Sequence, residues 1–132
     1  MGPLDDQVVR EDSLTATADG LNVAVYTHWY RALPLTSLTK VDLTVDGQPV
    51  DPATLSVTVN GHRYEFAELA VKADEYWFTT DPVVLHVPVA TAPGRQHRIQ
   101  LQLGLSIPYI LTGPDRTPLL TPSSTDKTLT AA

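Results

Sequence analysis

The stretch 26-YTHWYRALPLTSL-38 places one His, one Trp, two Tyr and one Arg within six residues. The whole chain has two Trp and four His, so this is a concentration of side chains able to ligate, move protons, stack or hydrogen-bond. Three readings compete: an active site, the end of a core strand, or a surface built for another protein. The four histidines are His28, His62, His86 and His97. A small β-barrel metalloenzyme places two ligands at i and i+2 on one strand face. No His-x-His or His-x-x-x-His occurs, so no metal site is expected in this chain. Each His reads instead as a partly exposed strand residue. Hydrolase signatures are missing too: there is no Gly-x-Ser-x-Gly elbow, no Cys nucleophile and no phosphate-cradling Gly loop. Glu65 and Glu68 could do acid–base work, but solvated carboxylates are the simpler reading. No catalytic residue is assigned.

The second aromatic group is 74-DEYWF-78. Successive residues of an extended segment point to opposite sides. Tyr76, Trp77 and Phe78 therefore cannot all enter one core, and the ring or rings left outside could stack on a sugar or anchor a protein interface. The first stretch follows the same logic. If Val23, Val25, Thr27 and Trp29 share one face, Ala24, Tyr26, His28 and Tyr30 share the other, and both carry bulk. A strand needs one core face, so the surplus suggests a partner surface, and Tyr, Trp and Arg are the types enriched at interface hot spots. The partner-interface candidates are His28, Trp29, Tyr30, Arg31, Pro34, Leu35, Tyr76, Trp77 and Phe78.

The elements that must position these residues are strands. Val41, Leu43 and Val45 alternate with polar residues in 38-LTKVDLTVD-46. So do Leu55, Val57 and Val59, and, most clearly, Ile99, Leu101, Leu103, Leu105 and Ile107. The run 21-LNVAVYTHWY-30 also reads as a strand. In 83-VVLHVPV-89, Pro88 cannot donate to a ladder and suggests an edge position or a strand end. Asn60-Gly61 is a strong signal for a type I′ hairpin turn, Asp46-Gly47 ends its strand similarly, and Pro93-Gly94 marks the turn before the longest strand. Only 65-EFAELAVKADE-75 has helical character, for one or two turns. Residues 112–132, rich in Pro, Thr and Ser without a period, read as an extended or flexible C-terminal tail. The expected fold is all-β: an antiparallel two-sheet β-sandwich of about six to eight strands with little helix, as a single domain over 1–132.

At 132 residues such a domain buries enough surface to need no staples. The absence of Cys fits a reducing cytoplasm. A formal charge of −6 argues against nucleic acid as a partner. The opening MGPLDDQVVREDS is charged and does not read as a signal peptide, and no run is apolar enough to enter a membrane as a helix.

The order of segments resembles the β-subunit family of the bacterial C-glycoside deglycosidases. The likeness rests on Tyr30-Arg31-Ala32-Leu33-Pro34-Leu35 with Ser37-Leu38, on Val41–Gly47, on Val57–Gly61 with Tyr64, and on Glu75-Tyr76-Trp77-Phe78. Leu105–Tyr109 and Lys127–Thr130 complete the set, which spans roughly residues 8 to 130. The resemblance implies a hetero-oligomer with a larger α subunit that looks like a sugar-phosphate isomerase barrel and holds a divalent metal, manganese. It implies cleavage of the carbon–carbon bond between sugar and aromatic aglycone in a 3-oxo-glycoside bound mainly by that partner. A ketone at C3 acidifies the C2 proton for removal by a base of the α subunit, and the metal acts as Lewis acid. The chain itself would hold no cofactor. The rival reading from the aromatics is a free-standing carbohydrate-binding β-sandwich module.

Overall fold

The structure, a computed structural model, describes residues 7–132. The first six residues of the charged opening stretch, and that end of the domain expected over 1–132, lie outside the described residues. The fold is all-β and antiparallel. One sheet has the order β1-β2-β9-β6-β7, with β1 Leu14–Thr17, β2 Gly20–Val25, β6 Ser56–Val59, β7 His62–Glu65 and β9 Val83–Val87. A second sheet has the order β11-β10-β4-β5, with β4 Leu38–Val45, β5 Gln48–Val50, β10 Gln96–Thr112 and β11 Thr117–Thr130. A two-stranded piece pairs β3 Leu33–Pro34 with β8 Tyr76–Trp77. The eleven strands among the described residues exceed the expected six to eight because β3, β5 and β8 have only two or three residues.

The core follows from the alternation. Leu21, Val23 and Val25 of β2, Val83, Leu85 and Val87 of β9, and Val57 and Val59 of β6 are buried. They meet Val41, Leu43 and Val45 of β4 and Ile99 through Ile107 at every second position of β10 in one hydrophobic cluster. Each such aliphatic side chain, fully removed from water, contributes about 1.5–3 kcal/mol before chain entropy is set against it. Both expected hairpin turns have the required backbone. Asn60 and Gly61 lie at φ 53° and 78°, and Asp46 and Gly47 at 52° and 82°. The helical segment is a 3-10 helix over Phe66–Val71.

Two strands sit differently from their sequence reading. β9 stops at Val87, so Pro88 marks a strand end; β9 lies at the centre of its sheet and is not an edge strand. β2 ends at Val25, not near Tyr30, and residues 26–32 form no strand. Most of the segment 112–132 is β11, paired with β10 from Thr112↔Thr117 to Gln96↔Thr130. Its buried positions include Ser123 and Thr125 where other strands carry Val or Leu, so hydropathy shows no alternation there. Ala131 then donates its backbone N–H to Arg95 and accepts from Gly94, and Ala132 donates to Leu14 and accepts from Ala16, linking the two large sheets.

Candidate functional site

The loop after β2 carries the first aromatic cluster. His28 turns inward, is only 8% exposed, and its Nε2 lies 3.1 Å from the Thr121 carbonyl of β11. Trp29 packs partly against the core, and its Nε1–H donates to the Tyr109 hydroxyl. Its ring lies 5.0 Å from that of Tyr30, which is 67% exposed. The exposed Arg31 guanidinium stands 4.9 Å over the Tyr109 ring, a cation–π geometry. Thus Trp29, Tyr30 and Arg31 converge with Tyr109, at the far end of β10. Tyr109 was not among the candidates. Its signal was present: an aromatic directly after Pro108, where the alternation of β10 ends. Tyr30 has its hydroxyl raised above the ordinary phenol range by its hydrogen bond to Tyr109 and by partial desolvation. Desolvation also raises Tyr109, but hydrogen bonds from Trp29 and Tyr30 and the charge of Arg31 outweigh it and hold that hydroxyl below the usual range.

Three of the interface candidates are buried in this chain. Leu35 and Trp77 are 0% and 1% exposed, within this chain's own core, and do not present side chains to a partner; the inward-turned His28 is buried as well and joins them. Trp77 also donates from Nε1 to the Asp81 carbonyl at 3.0 Å, which satisfies its polar atom. Tyr76 and Phe78, its neighbours, point the other way and are 45% and 48% exposed. Pro34 is half-buried and pairs with Tyr76 across β3–β8.

Tyr76 and Phe78 belong to a second cluster. β7 is the outer strand of the five-stranded sheet, and Tyr64, in register with Val57, faces the core side of it. The segment 72–78 crosses there and leaves an open cleft of about 500 Å³, lined by Asn60, His62 and Tyr64 on one side and by Lys72 and residues 74–76 and 78 of that segment. Glu75 is the hub. It accepts from the Tyr64 hydroxyl and from Asn60 Nδ2 at 3.2 Å, and lies 3.3 Å from His62 Nδ1. The Tyr64 bond, opposed by desolvation and joined by those from Asn60 and His62, holds Glu75 below the usual carboxylate range. The same bond, with desolvation and the nearby negative charges, pushes Tyr64 up to about 12.

The remaining titratable groups are structural. Glu65 and Glu68 form a capping box on the 3-10 helix, with Glu68 accepting from the Glu65 backbone N–H at 2.9 Å. Only His62 and His86 fit the reading of partly exposed strand histidines; His28 and His97 are buried. His86 spans Asn22 Oδ1 and Thr58 Oγ1 at 2.8 and 2.7 Å, and burial and Arg63 lower its pKa. His97 links Thr91 Oγ1 at 2.7 Å and Asp46 Oδ2 at 2.6 Å, tying the β4–β5 turn to the start of β10. Desolvation raises Asp46, but the His97 side chain and the Arg98 N–H outweigh it and leave Asp46 below its ordinary value. A carboxylate lowered in the folded state adds stability above its unfolded pKa, near 4, and loses it as pH falls through the folded value. Asp46→Asn, which tolerates the positive φ, is therefore expected to lower the denaturant midpoint at neutral pH. Its stability should then fall less steeply below about pH 4 than the parent's. An unchanged acid slope in denaturant titrations would place the acid sensitivity elsewhere. Among the described residues no three His, Asp or Glu side chains are grouped so as to hold a metal ion.

A family model described as the C-glycoside deglycosidase beta subunit matches residues 4–109, four-fifths of the chain. The chain belongs to this family. Among its relatives is the 3'-dehydrocarminate deglycosidase beta subunit of a Microbacterium species, 33% identical over 105 residues that cover 80% of each chain. The C-glycoside deglycosidase beta subunits of Microbacterium trichothecenolyticum and Arthrobacter globiformis are 32% and 35% identical. Those matches cover 86% and 81% of this chain and 87% and 82% of theirs. As a C-glycoside deglycosidase β-subunit family member, the chain keeps both aromatic clusters inside the matched span, with Tyr109 its last residue. No described helix is long and apolar enough to cross a membrane.

Proposed function

We propose that the chain is the small, non-catalytic β subunit of a cytoplasmic, hetero-oligomeric lyase that cleaves the carbon–carbon bond between sugar and aromatic aglycone in a 3-oxo-glycoside. Its role is to stabilise and shape a larger, barrel-type α subunit. The divalent metal, manganese by resemblance, belongs to that partner, where it supplies Lewis-acid chemistry. The observation that carries the reading is the surface cluster of Trp29, Tyr30, Arg31 and Tyr109. Tyr30 is a large ring left two-thirds exposed beside a cation that is itself exposed. Such a group costs free energy in water and is relieved when a partner covers it. Arg31 can give forked hydrogen bonds to a carboxylate across the contact while keeping its stacking on Tyr109. The β-subunit names of the relatives agree with a companion chain.

The chain alone is expected to turn over no 3-oxo-C-glycoside, and to support turnover only with its α partner. Tyr30→Ala and Arg31→Ala, both exposed and therefore compatible with folding, should each weaken α–β association by about thirtyfold or more. Titration of the labelled partner measures this. If both variants bind as tightly as the parent, the docking surface lies elsewhere.

A further inference from the structure

We infer that the cleft between β7 and residues 72–78 is a binding site for a neutral pyranose ring, separate from the Trp29–Tyr109 docking surface. The cleft is wide and open, about 500 Å³ in volume, enough to seat one sugar ring against a wall without enclosing it. Four of its lining residues carry flat rings. Tyr76 and Phe78 project from one side of β8 and the residue beyond it, each close to half exposed. His62 and Tyr64 line it from β7, with their own rings 6.2 Å apart and edge-on. An exposed aromatic face offers a platform for the C–H face of a sugar.

The polar groups decide the ligand's charge and hydroxyl content. One ammonium, Lys72, stands 4.9 Å over the Tyr64 ring, against two carboxylates, Glu75 and Asp74. That excess of negative charge disfavours phosphates, sugar acids and other anions. The Tyr64 hydroxyl already donates to Glu75, so its oxygen is left as an acceptor. Glu75 Oε2 takes Asn60 and faces His62, whereas Oε1 has Tyr64 alone and keeps a free lone pair. Lys72 supplies donors and Asp74 further acceptors. A ring with several adjacent hydroxyls, each both donor and acceptor, matches this set; a simple phenol, with one hydroxyl, uses little of it. Glu75 is held ionised and in place by three neighbours, so the site is ordered before a ligand arrives. One further bond shapes the mouth: Asn60 Nδ2 also donates to the Tyr76 carbonyl at 2.8 Å, which ties down the strand bearing the Tyr76 ring.

The test is a titration of the full chain with methyl β-glucopyranoside, read by backbone and side-chain NMR shifts. Shifts centred on His62, Tyr64, Glu75 and Tyr76, with a dissociation constant in the millimolar range, are expected for so open a site. Tyr76→Ala and Glu75→Gln should each weaken binding by about tenfold. No shift up to the solubility limit would overturn the assignment. So would shifts that both variants retain, or tighter binding of phenol or gluconate than of the glucoside. The partner takes no part in this measurement, so a negative result leaves the docking proposal standing. Conversely, intact partner binding by Arg31→Ala would not bear on the sugar site.

Discussion

Trp77→Ala is expected to lower folding stability by about 3–5 kcal/mol, while Tyr76→Ala and Phe78→Ala on either side change it by less than about 1 kcal/mol. The contrast is the prediction, because the three residues are consecutive and similar in chemistry. Trp77 is 1% exposed and among the largest fully buried side chains in the molecule. Deleting it removes its transfer free energy and leaves a cavity that the surrounding strands can only partly close. It would also leave the Asp81 carbonyl without the indole donor that now reaches it. Tyr76 and Phe78 keep about half their surface in water, so truncation forfeits little burial. Denaturant midpoints for the three variants measure this directly. Three equal losses would mean that the alternation at β8 is not as described. A folded Trp77→Ala protein that had lost both partner and glucoside binding would show that this side chain positions surfaces it does not touch.

Gly20→Ala should be the most damaging one-carbon change in the chain, at about 3 kcal/mol or complete failure to fold. Gly20 opens β2 at φ 148°, a backbone conformation that L side chains rarely adopt. A Cβ there would fall 2.1 Å from the Val87 carbonyl oxygen, at the end of β9. Backbone atoms in a paired strand cannot move aside cheaply, so relief requires separating β2 from β9 at the centre of the sheet. Gly47 is the control. It also has positive φ, 82°, but a Cβ there meets nothing within 4 Å. Gly47→Ala should therefore cost only the backbone penalty, about 1 kcal/mol. Thermal or denaturant unfolding of both separates steric overlap from conformational preference.

How much of this was legible in the sequence depends on what kind of force sets each feature. β4, β6 and β10 could be read because hydrophobic burial repeats with the strand period, and the two Gly-containing turns because positive φ restricts residue type. β11 was not, since its buried Ser123 and Thr125 are polar and break the hydrophobic alternation that marks the other strands. The loop after Val25 was taken as strand because Tyr, Thr and Trp favour strands locally. The buried His28 and its contact with Thr121, ninety-three residues away, fix a different path. Pairing of β3 with β8 joins segments more than forty residues apart through two residues each, too short for any period. At the candidate sites, the surplus of aromatics was visible, and so was the alternation of Tyr76, Trp77 and Phe78. The partners that turn them into sites were not: Tyr109 for Arg31, and Tyr64 and Glu75 for Tyr76 come from distant strands or from acids that look solvated.

Strand β11 runs fourteen residues along the outside of its sheet with β10 as its one neighbour. An outermost strand of that length is a ready template on which a further chain can add by backbone pairing. Pro118 and Pro122 each withdraw an N–H donor from the row, and Asp126 and Lys127 place opposite charges farther along it. The register slip between Ile107 and Leu111 on the adjoining β10 bends the ribbon at its outer end as well. Along this one edge, pairing by a further extended chain is therefore disfavoured, and contacts there fall to side chains instead of a continuous backbone ladder.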